Sequence, residues 1–532
     1  MDEDGMVPST AVPFARDYAF PPLDGVASNL SDGMFIGAIR GQMSPEQQAK
    51  WLPLAQSHQI LGTCKCSRAP FASSSEAQRS GCTDAQTEMG HGSNVRGLET
   101  TATFDPATDE FVINSPTISS TKWWPGGLGL ISTHAIVYAR LIIGETDHGV
   151  FPFMVQLRSL EDHLPMPGVT LGTSGPTMGL YANEHGRCRF DHVRIPRDQF
   201  CARHNQVTAE GEFIPAPNRK VSYFTMVQTR VGFVTTAGAQ LAKALTIAIR
   251  YSAVRRQGFP AEGVSEPVVL DYQMQQHIMF TLLSQAFALH FTARYMSDVN
   301  RRAQASDGGD DALVNLALLP ELHATSAGLK AISTSYMVDG IEEARRACGG
   351  HGYGLFSGLP QVLLNCLRMY STEGDNNVLY LQTARFLLSS WRSASTGDVE
   401  ALAGNVLYYA DLAADDGAAI EGQTCSAATI EQLCDPEVQL AAFRHVAARK
   451  VRRAAGRMAA AAAEGLAEHE AKNAHMRELI EATKSHCMYT VLNAFVSRVS
   501  DIEDETLGRV LKTQCDLCAR TTIDIPSPSC PL

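Results

Sequence analysis

The chain has 532 residues, of which 45% are hydrophobic and 19% are charged. This length exceeds what one hydrophobic core usually supports, so we expect a globular protein of roughly two to four domains. The formal net charge of -12 excludes a global attraction to nucleic acid or to anionic membranes. The 13 cysteines follow no regular framework, which favours free thiols, and no four-ligand set predicts a metal site.

The N-terminal part of the chain predicts a loop followed by helices. Met1 to Asn29 is rich in Pro, Asp and Ser and lacks an apolar signal region, so secretion is not expected. Helices are predicted at Asp32 to Arg40 and at Pro45 to Leu54, the second with Ser44 as its N-cap. The longest apolar run, Val231 to Ile249, is interrupted by polar residues, so no membrane span is predicted.

The composition changes abruptly in residues 64–84, CKCSRAPFASSSEAQRSGCTD. This segment is rich in Ser, Cys, Arg and Ala and shows no apolar periodicity. Such a composition predicts a loop without regular secondary structure.

A glycine-rich stretch from Ala85 to Gly129 predicts a binding site for a planar group. Two β-like runs, Thr100 to Phe104 and Glu110 to Ser115, are separated by turn residues and therefore predict a hairpin. The stretch ends with Trp123 and Trp124, which offer a flat apolar wall, although at least one of the pair is expected in the core.

Further short strands are predicted after this stretch. They lie at His134 to Ile142, at Val150 to Leu157 and at Arg187 to Val193, and Arg194 to Arg197 reads as an exit turn. We expect an antiparallel, barrel-like β-domain over residues 85–200.

After Pro217 the apolar period changes from about two to about 3.6 residues, which predicts helices. A helix bundle is expected over residues 219–395 and a second, Ala-rich helical domain over residues 422–515. Together with the β-domain, this predicts an α+β fold. The bundle helices are predicted at Ser222–Arg250, Leu270–Asn300, Leu313–Leu319, Leu322–Met337 and Asn376–Trp391.

Glu373 is our candidate for a catalytic base. It lies in a glycine-containing turn, STEGDN, between an apolar run and the helix that begins at Asn376. A carboxylate in such a turn is accessible, and apolar surroundings raise its pKa toward the range that a base needs. In the alternative interpretation Asp375 simply caps the helix and Glu373 favours its positive end.

Three blocks in the glycine-rich stretch resemble the flavin-binding β-domain of the peroxisomal acyl-CoA oxidases: QTEMGHG from Gln86, RGLETTA from Arg96 and KWWPGG from Lys122. The similarity extends from about Asn29 to about Val510. It implies an FAD enzyme that oxidises fatty acyl-CoA to trans-2-enoyl-CoA and passes the electrons to O2, giving H2O2 in the peroxisome. Relative to that family, residues 1–63 resemble a shortened N-terminal helical segment, and the second helical domain also looks incomplete. The resemblance also implies that residues 64–84 are an insertion, either a surface loop or a retained intron.

The resemblance also implies roles for individual residues. Thr87 and Gly126 match flavin contacts, and Glu373 matches the family's base. Arg255 matches an arginine that reaches the FAD pyrophosphate of a neighbouring subunit, and the glycine pair Gly349-Gly350 matches the turn that receives its adenine half, which implies a homodimer. Without the resemblance, Thr87 reads as a strand-end hydroxyl, and the arginine and the glycines read as ordinary helix-end residues.

Two other functions remain open from the sequence. An acyl-CoA dehydrogenase shares the base and the flavin but uses a protein electron acceptor, whereas the Trp-Trp-Pro-Gly-Gly block and the extra C-terminal helices favour the oxidase. A non-catalytic remnant is the second alternative, because a shortened bundle exposes apolar surface. The final residues, Ser529 to Leu532, place a proline where the peroxisomal tripeptide carries a lysine.

Overall fold

A computed structural model of the chain describes residues 35–62, 85–180, 184–216, 224–258, 262–304, 318–413 and 427–523, together with 417, 420 and 423–425. The predicted loop at 1–29, the predicted insertion at 64–84 and residues 313–317 of the helix predicted at Leu313–Leu319 lie outside the described residues. The chain divides into two compact units between Gly232 and Phe233. The predicted α+β class is confirmed. The limits of the five predicted segments, 1–63, 64–84, 85–200, 219–395 and 422–515, stay predictions.

Two short helices open the described part of the first unit, α1 (Ile36–Gln42) and α2 (Pro45–Gln56). The predicted N-cap of α2 is confirmed: Ser44 Oγ accepts from the Gln47 amide, and Gln47 Oε1 accepts from the Ser44 amide. This reciprocal pair satisfies two groups that a helix end leaves without partners.

The predicted hairpin is formed by β1 (Thr101–Asp105) and β2 (Glu110–Asn114). The two strands pair antiparallel, with Thr101 opposite Asn114 and Asp105 opposite Glu110. In the turn, Asp105 Oδ1 accepts a hydrogen bond from the Ala107 amide at 3.1 Å, and Asp109 has a φ of 54°. Asp tolerates this left-handed conformation, which explains why the turn residues predicted the hairpin correctly.

The strands of the first unit form two main sheets around one core. The strands after the hairpin are β3 (Lys122–Gly126), β4 (His134–Ile143), β5 (Thr146–Gln156), β6 (Val169–Thr173), β7 (His185–Phe190), β8 (Val193–Pro196), β9 (Gln206–Val207) and β10 (Phe213–Ile214). The five-stranded sheet has the order β5-β4-β1-β2-β8, and the three-stranded sheet has the order β3-β7-β6. Neighbouring strands in these two sheets are antiparallel except β1 and β4, which are parallel.

The exit turn predicted at Arg194 to Arg197 is wrong. Most of this segment is β8, an edge strand that pairs with β2, and the chain turns earlier, at His192, whose φ is 52°. Val193 and Ile195 are buried on either side of the exposed Arg194, which is the alternation of a strand. Pro196 concealed this pattern because proline usually indicates a turn. Proline is, however, also tolerated in an edge strand.

The second unit is helical, as the change of apolar period predicted. Its long helices begin close to the predicted positions and mostly extend further along the chain. They are α3 (Phe224–Val254, which contains the boundary between the units), α4 (Gln273–Gln304), α5 (Leu319–Ala347), α6 (Gly349–Tyr353), α7 (Leu359–Leu367), α8 (Asn376–Ser395), α9 (Tyr409–Leu412), α10 (Ile430–Leu433), α11 (Pro436–Ala463), α12 (Glu468–Ala474), α13 (Met476–Ser500) and α14 (Glu505–Ile523).

Small residues let the bundle helices approach closely. A Cβ atom on Gly238 of α3 would lie 3.1 Å from the backbone nitrogen of His290 in α4. The C-terminal helices pack onto the same bundle, since Phe495 of α13 stacks on Phe291 of α4 with ring centroids 5.1 Å apart. The Ala-rich segment is therefore part of the second unit's core.

Among the described helices, one segment, Thr229–Val254, is long and apolar enough to cross a membrane by length and composition. Half of its apolar window is buried inside the protein. The core helix of a bundle has the same two properties.

We expect Phe153→Ala to destabilise the first unit. The Phe153 ring is fully buried between Phe111 and Phe200, at centroid distances of 5.1 and 5.4 Å. Its truncation removes apolar contacts and leaves a cavity, with a cost of about 3–5 kcal/mol. Thermal unfolding measures the effect, with the exposed Leu164→Ala as the control; equal melting temperatures for the two variants would contradict this packing.

Candidate active site

Thr87 lies in an extended segment beside β3, opposite the tryptophan pair. Its carbonyl oxygen accepts a hydrogen bond from the Trp123 amide at 2.9 Å, and its side chain is half-buried. Gly126 is buried three residues further along β3, opposite His185 of β7. The structure therefore brings the two predicted flavin contacts of the first unit to the same strand, β3: Thr87 lies beside it and Gly126 belongs to it.

A buried ion pair fixes β3 and the segment beside it from within. Lys122 and Glu88 have fully buried side chains, and Lys122 Nζ lies 3.0 Å from Glu88 Oε1. The same ammonium donates to the carbonyl oxygens of Gln86 at 3.2 Å and Tyr138 at 2.7 Å. Burial lowers the pKa of Lys122, and the Glu88 carboxylate opposes this shift. Thr87 thus lies between two residues that are held by one cation.

Glu88 uses its remaining acceptor capacity on the next segment. Its oxygens accept from the amides of Glu99 and Thr100 at 2.8 and 2.9 Å, and from the Thr100 hydroxyl at 2.6 Å. A buried carboxylate is tolerated when its oxygens are satisfied in this way. The glycine-rich loop is consequently tied to the start of β1.

Neither tryptophan belongs to the core, so the expectation that at least one does is wrong. The Trp123 side chain is half-buried, with the Arg187 guanidinium 6.0 Å from its ring centroid. Trp124 is 40% exposed and has a φ of 89°, and its carbonyl group lies 3.0 Å from His185 Nδ1. The register of β3 shifts between Trp123 and Gly126, which turns the aromatic wall away from the core.

Glu373 lies in the turn that precedes α8. It is half-buried, with a left-handed φ of 59°, and is followed by Gly374 with a φ of 113°. Asp375 caps α8, because its Oδ1 accepts from the amides of Asn377 and Val378. The alternative interpretation is therefore correct for Asp375, while Glu373 occupies a conformation that costs a non-glycine residue about 1–3 kcal/mol. Such strain is typical of functional sites.

Arg255 directly follows the end of α3. It is exposed, and its guanidinium donates to Gln257 Oε1 at 2.9 Å. Its backbone carbonyl accepts from the Val269 amide at 2.8 Å, which anchors the segment beside the start of α4. The neighbouring Arg256 instead donates to the Glu266 carbonyl at 2.7 Å. The Arg255 side chain thus contacts a residue two positions further along the chain, whereas the Arg256 side chain is bound to a residue ten positions further along.

Gly349 and Gly350 begin the short helix α6, just after α5. Both are exposed, Gly349 has a φ of 59°, and no described atom would lie within 4 Å of a Cβ atom on either residue. Two backbone units without side chains thus face open space, which is the arrangement that lets a ligand approach the main chain.

Arg255 and the glycine pair lie at the same end of the bundle. The hydroxyl oxygen of Tyr251, four residues before Arg255, lies 3.1 Å from Nδ1 of His351, which follows the glycine pair. Gln275 joins the same ends, since its amide donates to Ser252 Oγ at 2.8 Å and to the Ala347 carbonyl at 3.1 Å. An arginine and open glycines at one surface match the needs of a dinucleotide phosphate and adenine.

Glu373 lies elsewhere in the second unit. Asn376, at the start of its helix, donates to the Ala331 carbonyl at 3.0 Å, whereas the glycine pair follows the end of α5 at Ala347. A helix rises 1.5 Å per residue, so the two regions are separated by roughly 25 Å along α5. The structure therefore does not bring the candidate base and the candidate adenine turn together within this unit.

Comparison with family models assigns most of the described chain. The models described as acyl-CoA oxidase C-alpha1 domain, acyl-CoA oxidase and acyl-coenzyme A oxidase N-terminal match residues 223–388, 435–527 and 22–61. Residues 83–193 match the middle domain of acyl-CoA dehydrogenase. These matches define the class of the protein: its domains are those of the acyl-CoA oxidases and dehydrogenases.

Individual relatives narrow the class. Peroxisomal acyl-coenzyme A oxidase 1 of Arabidopsis thaliana is 43% identical over 501 residues, covering 91% of this chain and 68% of that protein. The rat protein of the same name is 39% identical over 503 residues, covering 94% and 71%. The structure of Arabidopsis thaliana acyl-CoA oxidase 1 has a TM-score of 0.83 at 39% identity, covering 97% of this chain and 74% of that one. The chain therefore belongs to the acyl-CoA oxidase family.

The predicted family and enzyme class are thereby confirmed. The roles of Glu373 and of the predicted flavin contacts stay predictions. The sequence did not single out the ion pair of Glu88 and Lys122, which holds the segment around Thr87, although both residues belong to the quoted blocks. The available signal was one charged residue in each of two largely uncharged segments. Such a residue is buried only when it is paired, so two of them with opposite charge indicate a buried ion pair.

We expect Glu88→Gln and Lys122→Met each to lower the melting temperature strongly. Each single change leaves an uncompensated charge inside the first unit, with a cost of about 3–5 kcal/mol. The double variant Glu88→Gln/Lys122→Met removes both charges and should regain most of the loss. Thermal unfolding of all three proteins tests this; additive losses in the double variant would mean that the two side chains do not stabilise one another.

Proposed function

We propose that this chain oxidises fatty acyl-CoA thioesters to trans-2-enoyl-CoA and passes the electrons to O2, giving H2O2, as the first step of fatty acid β-oxidation. Family membership supports the reaction. The observation that carries the assignment of the base is the turn at Glu373, where a carboxylate is held half-buried in a strained left-handed conformation between two helices. The similar proteins from Arabidopsis thaliana and rat are named as peroxisomal, which supports the same location for this chain.

FAD is the cofactor that we propose. A solved structure of acyl-CoA oxidase-1 from Caenorhabditis elegans is a complex with FAD and ATP. It has a TM-score of 0.82 at 34% identity, covering 94% of this chain and 70% of that one. Thr87 and Gly126 would contact the ring system, while Arg255, Gly349 and Gly350 would hold the pyrophosphate and adenine. When bound, FAD supplies the acceptor for the hydride from the substrate's β-carbon and the route by which electrons reach O2.

The chain's own residues would perform the proton chemistry. The Glu373 carboxylate takes the proton from the carbon next to the thioester carbonyl, which is a weak acid until the carbonyl oxygen is stabilised. The Glu373 backbone N–H is positioned by the same turn and would donate to that oxygen as negative charge develops. Asp375 caps the start of α8, so Glu373 would act as the base without also having to cap the helix.

We also propose that the active form is a homodimer. Arg255 and the glycine pair are exposed at one end of the bundle, well separated along α5 from the Glu373 region of the same chain. Next to the glycine pair, Tyr353, Leu355 and Phe356 are 82%, 73% and 108% exposed. An apolar cluster of this kind is typical of a protein interface, and a twofold dimer would let each chain complete the cofactor site of the other.

The electron acceptor distinguishes this reaction from that of an acyl-CoA dehydrogenase, whose middle-domain model matches residues 83–193. The two functions share Glu373 and differ in the electron acceptor. Peroxide formation from palmitoyl-CoA under air supports the oxidase, whereas reduction of an added acceptor without peroxide would support the dehydrogenase. Purified protein that stays colourless after addition of FAD would instead support a non-catalytic remnant.

We expect Glu373→Gln to reduce turnover by roughly 10²- to 10⁴-fold or more, because the amide cannot accept the α-proton. Bound FAD should remain, since the substitution removes no proposed cofactor contact. Peroxide formation and flavin absorbance measure the two effects. The exposed Glu400→Gln is the matched control. Full activity of Glu373→Gln would exclude this residue as the base.

Mixing two inactive variants tests the proposed dimer. We expect Arg255→Ala to lose FAD and activity, and Arg256→Ala to lose less. If Arg255 serves the partner's site, exchange of chains between Arg255→Ala and Glu373→Gln creates one intact site in each mixed dimer. About a quarter of wild-type activity should then return, because half of the dimers are mixed and one of two sites works. No recovery after verified exchange would show that Arg255 acts within its own chain.

A further inference from the structure

A second buried lysine, Lys330, lies in the middle of α5 and takes no part in the chemistry described above. Its side chain is 0% exposed. Lysine is almost never fully buried unless its ammonium group is satisfied, because removing that charge from water is costly. The position of its partners therefore indicates what the residue does.

The partners of Lys330 include three oxygens of the segment that carries Glu373. Its Nζ donates to the Gly374 carbonyl at 2.8 Å, to Asn376 Oδ1 at 2.9 Å and to the Tyr370 carbonyl at 3.4 Å. An ammonium group has three N–H donors, so these three contacts can use all of them. The Phe233 ring lies 5.7 Å from the same nitrogen and adds a favourable cation–π contact. The lysine thus joins both ends of the turn to one point on α5.

Asn376 continues this network on the other side of the turn. Its amide nitrogen donates to the Ala331 carbonyl at 3.0 Å, and to the hydroxyls of Thr334 and Ser335 at 3.0 and 3.1 Å. The first residue of α8 is therefore fixed on α5, one turn from the lysine. This anchor holds the helix start while Lys330 holds the turn before it.

The turn needs such an anchor because its conformation is strained. Glu373 has a φ of 59°, which is uncommon for a residue with a side chain, and Gly374 has a φ of 113°. A Cβ atom on Gly374 would lie 2.7 Å from Leu379 Cδ2, so the backbone passes close to α8 at this point. Strained conformations persist only when the surrounding structure fixes them.

We propose that Lys330 is a positioning residue for the catalytic base: it fixes the 370–376 turn so that the Glu373 carboxylate and backbone N–H keep the geometry needed for proton removal. This inference rests on the proposed function of Glu373. Lys330 itself touches neither substrate nor cofactor in this role. A displacement of about 1 Å at such a site can cost roughly 100-fold in rate.

Lys330→Met tests the proposal, because methionine keeps the apolar stem and loses all three donors. We expect the variant to retain FAD, with a KM close to that of the wild type and a kcat reduced roughly 10- to 100-fold. Anaerobic stopped-flow measurement of flavin reduction should slow by the same factor. With an acyl-CoA deuterated at the α-carbon, the isotope effect on this step should increase, since proton removal becomes limiting.

A lysine that only stabilised the fold would lower the melting temperature and the yield of holoenzyme, but would leave the reduction rate and isotope effect of that holoenzyme unchanged. Lys484→Met is the control for the loss of a lysine charge in the same unit: Lys484 lies in α13, and its Nζ is 3.3 Å from Oε1 of Glu481 in the same helix. Lys330→Gln retains two N–H donors on a neutral group and should fall between the wild type and Lys330→Met. Wild-type reduction kinetics in Lys330→Met would overturn the proposal.

Glu373→Gln separates the two ideas. If Glu373→Gln is inactive and Lys330→Met reduces its flavin normally, only the role of Lys330 is refuted. If Glu373→Gln is fully active, the proposed base itself is wrong. Should neither Lys330 variant fold, Asn376→Ala removes one of the three acceptors and takes their place, with slower flavin reduction and a larger isotope effect expected; normal values there would overturn the proposal.

Discussion

A charge that is removed from water must find partners, and this requirement shapes both units of the protein. Lys122 in the first unit and Lys330 in the second are both 0% exposed. Each ammonium group donates to backbone carbonyls of a segment without regular structure: Gln86 beside Thr87, and Gly374 beside Glu373. Thr87 and Glu373 therefore each lie next to a residue that a buried ammonium group holds in place. The desolvation cost of each cation is offset only when the neighbouring loop keeps one conformation.

The two cations meet this requirement differently. Lys122 faces a carboxylate, Glu88, so loss of either partner leaves a charge behind. The three oxygens of the turn that accept from Lys330 belong to carbonyl and amide groups, which accept hydrogen bonds without a counter-charge. The three contacts that fix the Glu373 turn are therefore hydrogen bonds to neutral groups, whereas the contacts that fix the loop of the first unit include an ion pair.

Much of the fold could be predicted because local chemistry and tertiary structure agree there. The hairpin at β1 and β2 follows from its turn residues, and α2 begins where Ser44 and Pro45 indicate. The strand β8 could not be predicted, since it is only four residues long and ends in Pro196. Trp124 was misjudged for a related reason: its exposure depends on a register shift in β3, which no local pattern encodes. The residue types of the candidate site could be read from motifs, but Lys330 could not, because a lysine in a helix usually indicates a solvated face. The signal was that no other charged residue occurs between Ala324 and Ser335.

The cap at Asp375 has a consequence for the reaction cycle. Glu373 and Asp375 are two residues apart, and only the second binds the amides at the start of α8. A carboxylate that receives a proton in every turnover would be a poor cap, because protonation weakens its hold on backbone amides. With the cap assigned to its neighbour, the role that we propose for Glu373 would let this carboxylate gain and release a proton repeatedly while Asp375 keeps the first turn of the helix wound.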